Sequence, residues 1–217
     1  IVIGMPLYAR PSWMQYRHLV ALNPEYAFVD YAPTTPTESY YNGINTLREK
    51  TIIAMNKAGG VMLFDVNEDT NDQYSIVSMI DSLIYRTANL SKEELNKYVT
   101  IILDGKELVF LEKEGFGVPF VNSDNRTMIP LRKPLETIGA KISYDNTNRV
   151  VTAMKDAIKV KIPIDKNIIY VNDKEVETDT QAIIKGNRTY IPLRAVMEAF
   201  GYKTEWHNSS RTVILSK

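Results

Sequence analysis

The chain repeats itself. Asn125-Arg126-Thr127-Met128-Ile129-Pro130-Leu131-Arg132 returns 62 residues later as Asn187-Arg188-Thr189-Tyr190-Ile191-Pro192-Leu193-Arg194. The same offset joins Glu136 to Glu198, Gly139 to Gly201, Tyr144 to Trp206 and Arg149 to Arg211. Upstream, Leu103-Asp104-Gly105-Lys106-Glu107-Leu108 matches Val171-Asn172-Asp173-Lys174-Glu175-Val176. Internal repetition ties this region to one supersecondary unit used twice. Each copy reads as a hairpin, an Asn-Arg turn, a strand running into Pro, a short helix closed by Gly, and a closing hairpin. Asp104-Gly105 and Asn172-Asp173 are dipeptides of tight hairpin turns. Pro134 stands where the second copy has Val196. Proline has no amide to donate inside a helix, so the first copy's helix is predicted to start later or to be distorted.

The region before residue 88 has a different grammar. Ile1–Leu7 reads as a buried strand, and Val61–Phe64 as a second, wholly apolar one. Ile44, Leu47, Ile52, Met55 and Ala58 recur at near-helical spacing, stopped by Gly59-Gly60; Ile76, Ile80, Leu83 and Ile84 mark a second helix face over Ser75–Arg86. Strand, helix, strand, helix with continuous apolar strands predicts a parallel sheet covered on both sides. Tyr40-Tyr41-Asn42-Gly43 reads as a turn, and Ser91 with Glu94 forms a capping-box pattern for a short linking helix over Ser91–Tyr98. The organisation expected is 1–88, a linker at 89–98, and 99–217 with copies at about 99–154 and 158–217. The opening Ile1-Val2-Ile3-Gly4, with no charged leader before it, reads as the interior of a longer protein.

The charge balance narrows the function classes. Lys and Arg number 26 and Asp and Glu 26 in 217 residues. That neutrality argues against a nucleic-acid or membrane-surface role, both of which favour basic excess. No apolar run reaches the ~18 residues of a membrane span. The chain has no Cys and two His, His18 and His207, which removes disulfides, thiolate nucleophiles and multi-histidine metal sites. No cofactor is expected.

Chemistry-bearing residues gather in the first region. Asp65, Glu68, Asp69 and Asp72 follow the strand Val61–Phe64, at the end where parallel sheets hold ligands. A solvated loop capping the next helix outweighs a catalytic pair there. The calcium-loop spacing Asp65-x-Asn67-x-Asp69 fails, because Thr70 stands where Gly is required and Ile76 where Glu is. Tyr8 and Arg10 close the first strand, suited either to sugar contact or to packing of the strand end. Phe64, ending a core strand, is expected to be buried, and His18 to be a loop residue. Trp13 and Tyr16, Tyr26, Tyr31, Tyr40 and Tyr41 suit carbohydrate stacking or loop packing equally. Arg132/Glu136 and Arg194/Glu198 read as intrahelical ion pairs. The Asn-x-Ser/Thr sequons at Asn89, Asn125, Asn187 and Asn208 carry no glycan meaning, two being part of the repeated turn.

Gly4-Met5-Pro6-Leu7-Tyr8-Ala9-Arg10 resembles the G-x-P-x-Y-G-R motif on the seventh barrel strand of glycoside hydrolase family 18, the chitinases and their relatives. Asn42-Gly43-Ile44, Lys50, Gly59-Gly60-Val61-Met62-Leu63-Phe64-Asp65 and Glu68-Asp69 are similar to that family's last helix and eighth strand. The resemblance spans about residues 1–85 and implies the last two βα units of a (β/α)8 TIM barrel. It puts Tyr8 and Arg10 at substrate-contacting positions and Phe64 where the family has a subsite-flooring Trp. Ala9 replaces the usual Gly. The D-x-x-D-x-D-x-E motif that supplies the family's acid is absent, so no catalytic acid is assigned and no family-type turnover is expected. Two such units leave strand edges open, which implies a homo-oligomer or a missing barrel portion.

Residues 98–217 resemble the copper amine oxidase N-terminal-like, or stalk, domain, whose repeats read G-R-T-x-V-P-L-R-x-x-x-E-x-L-G-x-x-V-x-W. The resemblance implies a non-catalytic appendage of extracellular enzymes and no copper site. The expected fold class is therefore α/β followed by α+β: a partial barrel segment, then a two-repeat β-rich domain with one short helix per repeat. The expected function is part of a secreted bacterial family 18 glycoside hydrolase acting on β-1,4-linked N-acetylglucosamine glycans, chitin or a peptidoglycan-like polymer. Tyr8, Arg10, Phe64 and Asp65 are its substrate-binding candidates, with Glu68 and Asp69 secondary, and a carbohydrate polymer is its partner. The alternatives are a non-catalytic cell-wall or carbohydrate-binding protein, and a small hydrolase using the Asp65–Asp72 cluster.

Overall fold

The computed structural model describes residues 1–111, 115, 117–208 and 210–217; the sequon at Asn208 runs through residue 209, outside them. The chain divides into two compact units, Ile1–Asn96 and Lys97–Lys217. The first is mixed helix and strand, the second β-rich.

In chain order the first unit holds β1 (Ile3–Pro6), β2 (Arg10–Pro11), α1 (Tyr16–Leu22), a 3-10 helix (Pro24–Phe28), β3 (Tyr31–Ala32), β4 (Ser39–Tyr40) and α2 (Ile44–Lys57). Then come β5 (Val61–Phe64), a 3-10 turn (Val66–Glu68), α3 (Ile76–Thr87) and α4 (Lys92–Lys97). β1 and β5 pair in parallel, with Pro6 opposite Phe64 at their carboxyl ends. Among the described residues this sheet has two strands and forms no barrel. Nor is it covered on both sides. Met62 and Phe64 of β5 are 50% and 62% exposed, so the continuous apolar run is half-buried in this chain, contrary to the reading of Phe64 as core.

The unit's core gathers Met5 of β1 and Leu7 just after it, Leu19 of α1, Leu47 of α2 and Ile76 of α3. α3 turns Met79, Ile80 and Leu83 inward, while Ile84 stands exposed rather than on the buried face. His18 lies in α1, not in a loop, and Tyr40 belongs to β4, so the turn before α2 is Tyr41–Gly43. Gly43 is required there by space. A Cβ on it would stand 2.4 Å from the Val29 carbonyl oxygen. Its amide donates to Asp30 Oδ1 at 2.7 Å, and Lys50 reaches back to Asn42 Oδ1 at 2.6 Å. Before α4, the Ser91 amide donates to Glu94 Oε2 and the Glu94 amide to Ser91 Oγ, closing the capping box.

The second unit runs β6 (Thr100–Leu103), β7 (Lys106–Glu107), β8 (Phe120–Val121), β9 (Thr127–Pro130), α5 (Arg132–Thr137), β10 (Lys141–Asp145) and β11 (Val150–Lys155). It continues with β12 (Ile158–Pro163), β13 (Ile168–Val171), β14 (Lys174–Glu177), β15 (Ile183–Lys185), β16 (Arg188–Pro192), α6 (Leu193–Ala199), β17 (Lys203–His207) and β18 (Thr212–Ser216). Asp104 and Gly105, and Asn172 and Asp173, all have positive φ. Two such residues in succession make the primed turn that matches strand twist in β6–β7 and β13–β14. α5 begins at Arg132, one position later in the repeat than α6, so that Pro134 falls in its first turn.

The two copies meet through β9 and β16, which pair antiparallel with Ile191 opposite Ile129. Those isoleucines are repeat equivalents, as are Tyr190 and Met128, and Pro192 and Pro130. The pairing of Tyr190 with Pro130 and of Pro192 with Met128 is thus reciprocal, and a local two-fold axis passes between the isoleucines. The ends of the unit are also joined, since β18 runs parallel to β6 with Val213 opposite Ile101. One core lies beneath, with Ile129, Ile191, Leu135, Val196, Val151 and Val213 all essentially buried.

Candidate functional site

Residues 7–16 fold back on themselves at the carboxyl end of β1. The Ala9 amide donates to the Met14 carbonyl at 2.7 Å, the Trp13 amide to the Ala9 carbonyl at 3.1 Å, and the Tyr16 amide to the Leu7 carbonyl at 2.8 Å. Ser12 Oγ and Ser39 Oγ lie 2.6 Å apart and tie the loop to β4. Trp13 at the loop's tip has φ 60°, a left-handed conformation costing a bulky residue roughly 1–3 kcal/mol. It is 60% exposed.

This strained tip completes an aromatic ledge. Tyr8 stacks on Trp13 with ring centroids 5.5 Å apart and an interplanar angle of 19°. Phe64 meets Tyr8 edge-on, 6.5 Å between centroids. The Arg10 guanidinium lies 3.1 Å from the Trp13 centroid and 5.4 Å from that of Tyr8, within cation–π range. The Leu7 amide donates to the Phe64 carbonyl at 2.9 Å, holding the ledge to both strand ends. Exposed apolar faces beside a cation and a phenol hydroxyl can stack on a pyranose ring and bond its rim.

Tyr8, Arg10 and Phe64, singled out in the sequence, therefore come together. Trp13 joins them although sequence reasoning left it among the general aromatics. Its signal was a Trp three residues past Arg10, and only the folded loop gives that spacing meaning.

The carboxylates have separate duties. Asp65 Oδ1 accepts the Asn67 amide at 2.8 Å and caps the 3-10 turn. Asp69 is buried and spends both oxygens on the start of α3: Oδ1 accepts the Thr70 and Ile76 amides, Oδ2 the Ser75 hydroxyl and Val77 amide, each at 2.9 Å. Asp72 accepts from the Thr70 hydroxyl and the Tyr74 amide. Glu68 Oε2 is buried without a hydrogen-bond partner. Asp69 thus caps α3 and Asp65 caps the 3-10 turn before it.

No group of three or more His, Cys, Asp or Glu among the described residues comes together to hold a metal, and the two histidines sit in different units. A copper centre does not fit this donor set. No described helix is long and apolar enough to cross a membrane.

Two comparisons with known proteins bear on the chain. The family model described as copper amine oxidase N-terminal domain matches residues 102–215, the span that holds both repeats. No curated protein matches.

Proposed function

The chain belongs to the copper amine oxidase N-terminal domain family, and from that premise we propose that its first unit is the glycan-contacting part of a secreted bacterial glycoside hydrolase of the family 18 type, the second unit being a non-catalytic appendage. The substrate class is β-1,4-linked N-acetylglucosamine polymer, chitin or a peptidoglycan-like glycan. The observation carrying this reading is the exposed ledge of Tyr8, Arg10, Trp13 and Phe64 at the carboxyl ends of two paired parallel strands, where such sheets hold ligands. Ring stacking supplies affinity, and the Arg10 guanidinium orients a hydroxyl or amide oxygen of the sugar. The chain lacks the acid motif, so it binds without turning over.

Titration calorimetry with chitotetraose tests the ledge. The chain should bind, and Trp13→Ala should weaken binding about fivefold or more, the worth of one aromatic stacking contact. Binding unchanged in Trp13→Ala, or absent altogether, defeats the reading. Turnover of a chromogenic N,N′-diacetylchitobioside separates the alternatives. Hydrolysis lost in an Asp65→Asn/Glu68→Gln variant would place an acid in that loop. Asp69 should be left intact in that experiment, because its loss uncaps α3.

A further inference from the structure

The second unit holds two grooves that the repeat makes equivalent by exchange. In one, of about 370 Å³, the turn Asn125-Arg126-Thr127 of the first copy faces Arg194, Trp206 and Arg211 of the second. In the other, of about 680 Å³, Asn187-Arg188-Thr189 of the second copy faces Arg132, Tyr144 and Arg149 of the first. Each groove thus joins the Asn-Arg turn of one repeat to the helix start and closing hairpin of the other. Both volumes lie in the range of small-ligand sites.

The two are alike in the repeat positions that line them and different in size and electrostatics. In each, an arginine enters the last strand of its copy at left-handed φ, 52° at Arg149 and 53° at Arg211, where Gly or Asn would sit with less strain. Arg149 donates to Asp165 Oδ2 at 2.6 Å. Arg211 makes no hydrogen bond or ion pair with any described side chain; it lies 5.8 Å from the Trp206 centroid, and its Nε is buried without a partner. Thr204 Oγ1, at the position Ile142 fills in the other groove, is also buried and unpartnered. The neighbouring cations are occupied: Arg126 pairs with Asp179, and Arg194 lies 4.0 Å from Glu198. In the second groove Arg132 pairs with Glu136, and Arg188, which has no carboxylate, donates through Nε to the Gly115 carbonyl. Among the described residues each groove therefore carries one arginine without a carboxylate partner, and of these two Arg211 alone has no acceptor.

We propose that the groove around Trp206 and Arg211 is a binding site for a carboxylate-bearing sugar, the guanidinium receiving the carboxylate and the indole facing the ring. A guanidinium matches a carboxylate bidentately, and a partly buried cation and a buried hydroxyl lining one groove, both without a partner among the described residues, are a pairing left open. Asn125, Thr127 and Asn208 line the same groove and supply amides and hydroxyl for the sugar's own hydroxyls. In the equivalent groove Asp165 engages Arg149 and the Gly115 carbonyl engages Arg188, so no guanidinium there is left without an acceptor and that groove does not take up the ligand. The site is separate from the ledge of the first unit and stands without the reading of that unit.

The chain has two tryptophans, so Trp13→Phe leaves Trp206 as the sole indole reporter and silences the ledge signal. In that background we expect a tetrasaccharide of alternating glucuronic acid and N-acetylglucosamine to change Trp206 fluorescence saturably, the effect weakening with added salt. Arg211→Gln should reduce affinity about tenfold or more, as loss of a charge-assisted contact does. Arg149→Gln should leave it unchanged, and Arg211→Lys should retain part of it while keeping the fold. A thermal melt of each variant reports folding, and Arg211→Lys carries the test if Arg211→Gln fails to fold. Equal response to neutral chitotetraose, equal affinity for inorganic phosphate, or no response to the acidic tetrasaccharide overturns the proposal, as does an unchanged affinity in Arg211→Gln.

Discussion

Tyr16 and Tyr41 bury their rings in the first unit while their hydroxyls find carbonyls, Tyr16 at Tyr74 (3.0 Å) and Tyr41 at Tyr26 (2.7 Å). Burial, and after it the nearby Asp69, raises the Tyr16 phenol well above its ordinary value; burial and then Asp30 raise Tyr41. In the unfolded chain both titrate near pH 10. The folded state therefore holds protons that the unfolded state has lost, and the contribution of these groups is whole below about pH 10 and drains away as pH rises beyond it. Urea unfolding of the first unit should show a steep alkaline loss of stability. In a Tyr16→Phe/Tyr41→Phe variant that limb should flatten, at a neutral-pH cost of about 0.5–1.5 kcal/mol per hydrogen bond removed. An equally steep limb in the variant would assign the loss to other groups. Single positions differ in what they disclose in advance. Tyr8, Arg10 and Phe64 were singled out by the resemblance of their segments to a family motif, since the strand-end pattern alone suited packing at least as well. The cap made by Asp69 and the exposure of Phe64 were not legible, since each depends on which elements pack nearby.

At the scale of elements, the repeat offers a matched pair of helices. In α6 the N-cap is Pro192 and Val196 is the fourth helical residue, the first whose amide has an intrahelical carbonyl to reach. In α5 the N-cap is Leu131 and Pro134 is the third helical residue, where an amide would have no such partner. Val196→Pro should therefore cost about 3 kcal/mol or more, with cavity effects added because Val196 is fully buried. Pro134→Val, near in volume and losing no bond, should change stability by under about 1.5 kcal/mol. Denaturant unfolding followed by far-ultraviolet circular dichroism measures both, and comparable losses would refute the assignment of helix starts. Proline chemistry and the turn dipeptides are backbone effects, which is why α5, β6–β7 and β13–β14 could be read from the chain alone. The outward faces of β5 and of Ile84 could not, because an apolar run states a preference for burial without stating what supplies it.

For the second unit as a whole, the sequence announces two similar copies and says nothing of how they face. That relation is set by the pairing of β9 with β16, a contact between residues 62 apart whose register decides everything around it. Because Ile129 and Ile191 are both fully buried and stand opposite each other, each sees the other copy's version of its own surroundings. Ile129→Ala and Ile191→Ala should each cost about 2–5 kcal/mol, and the two losses should agree to within about 1 kcal/mol. The double variant should fall short of their sum, since facing side chains open one shared cavity rather than two separate ones. Losses that differ severalfold, or that add without coupling, would mean the axis is a feature of backbone register alone. Agreement would make the exchange of parts between the grooves a property of the packed core. The contrast between Arg149 and Arg211 would then be a difference imposed on an otherwise equivalent frame by one carboxylate, Asp165.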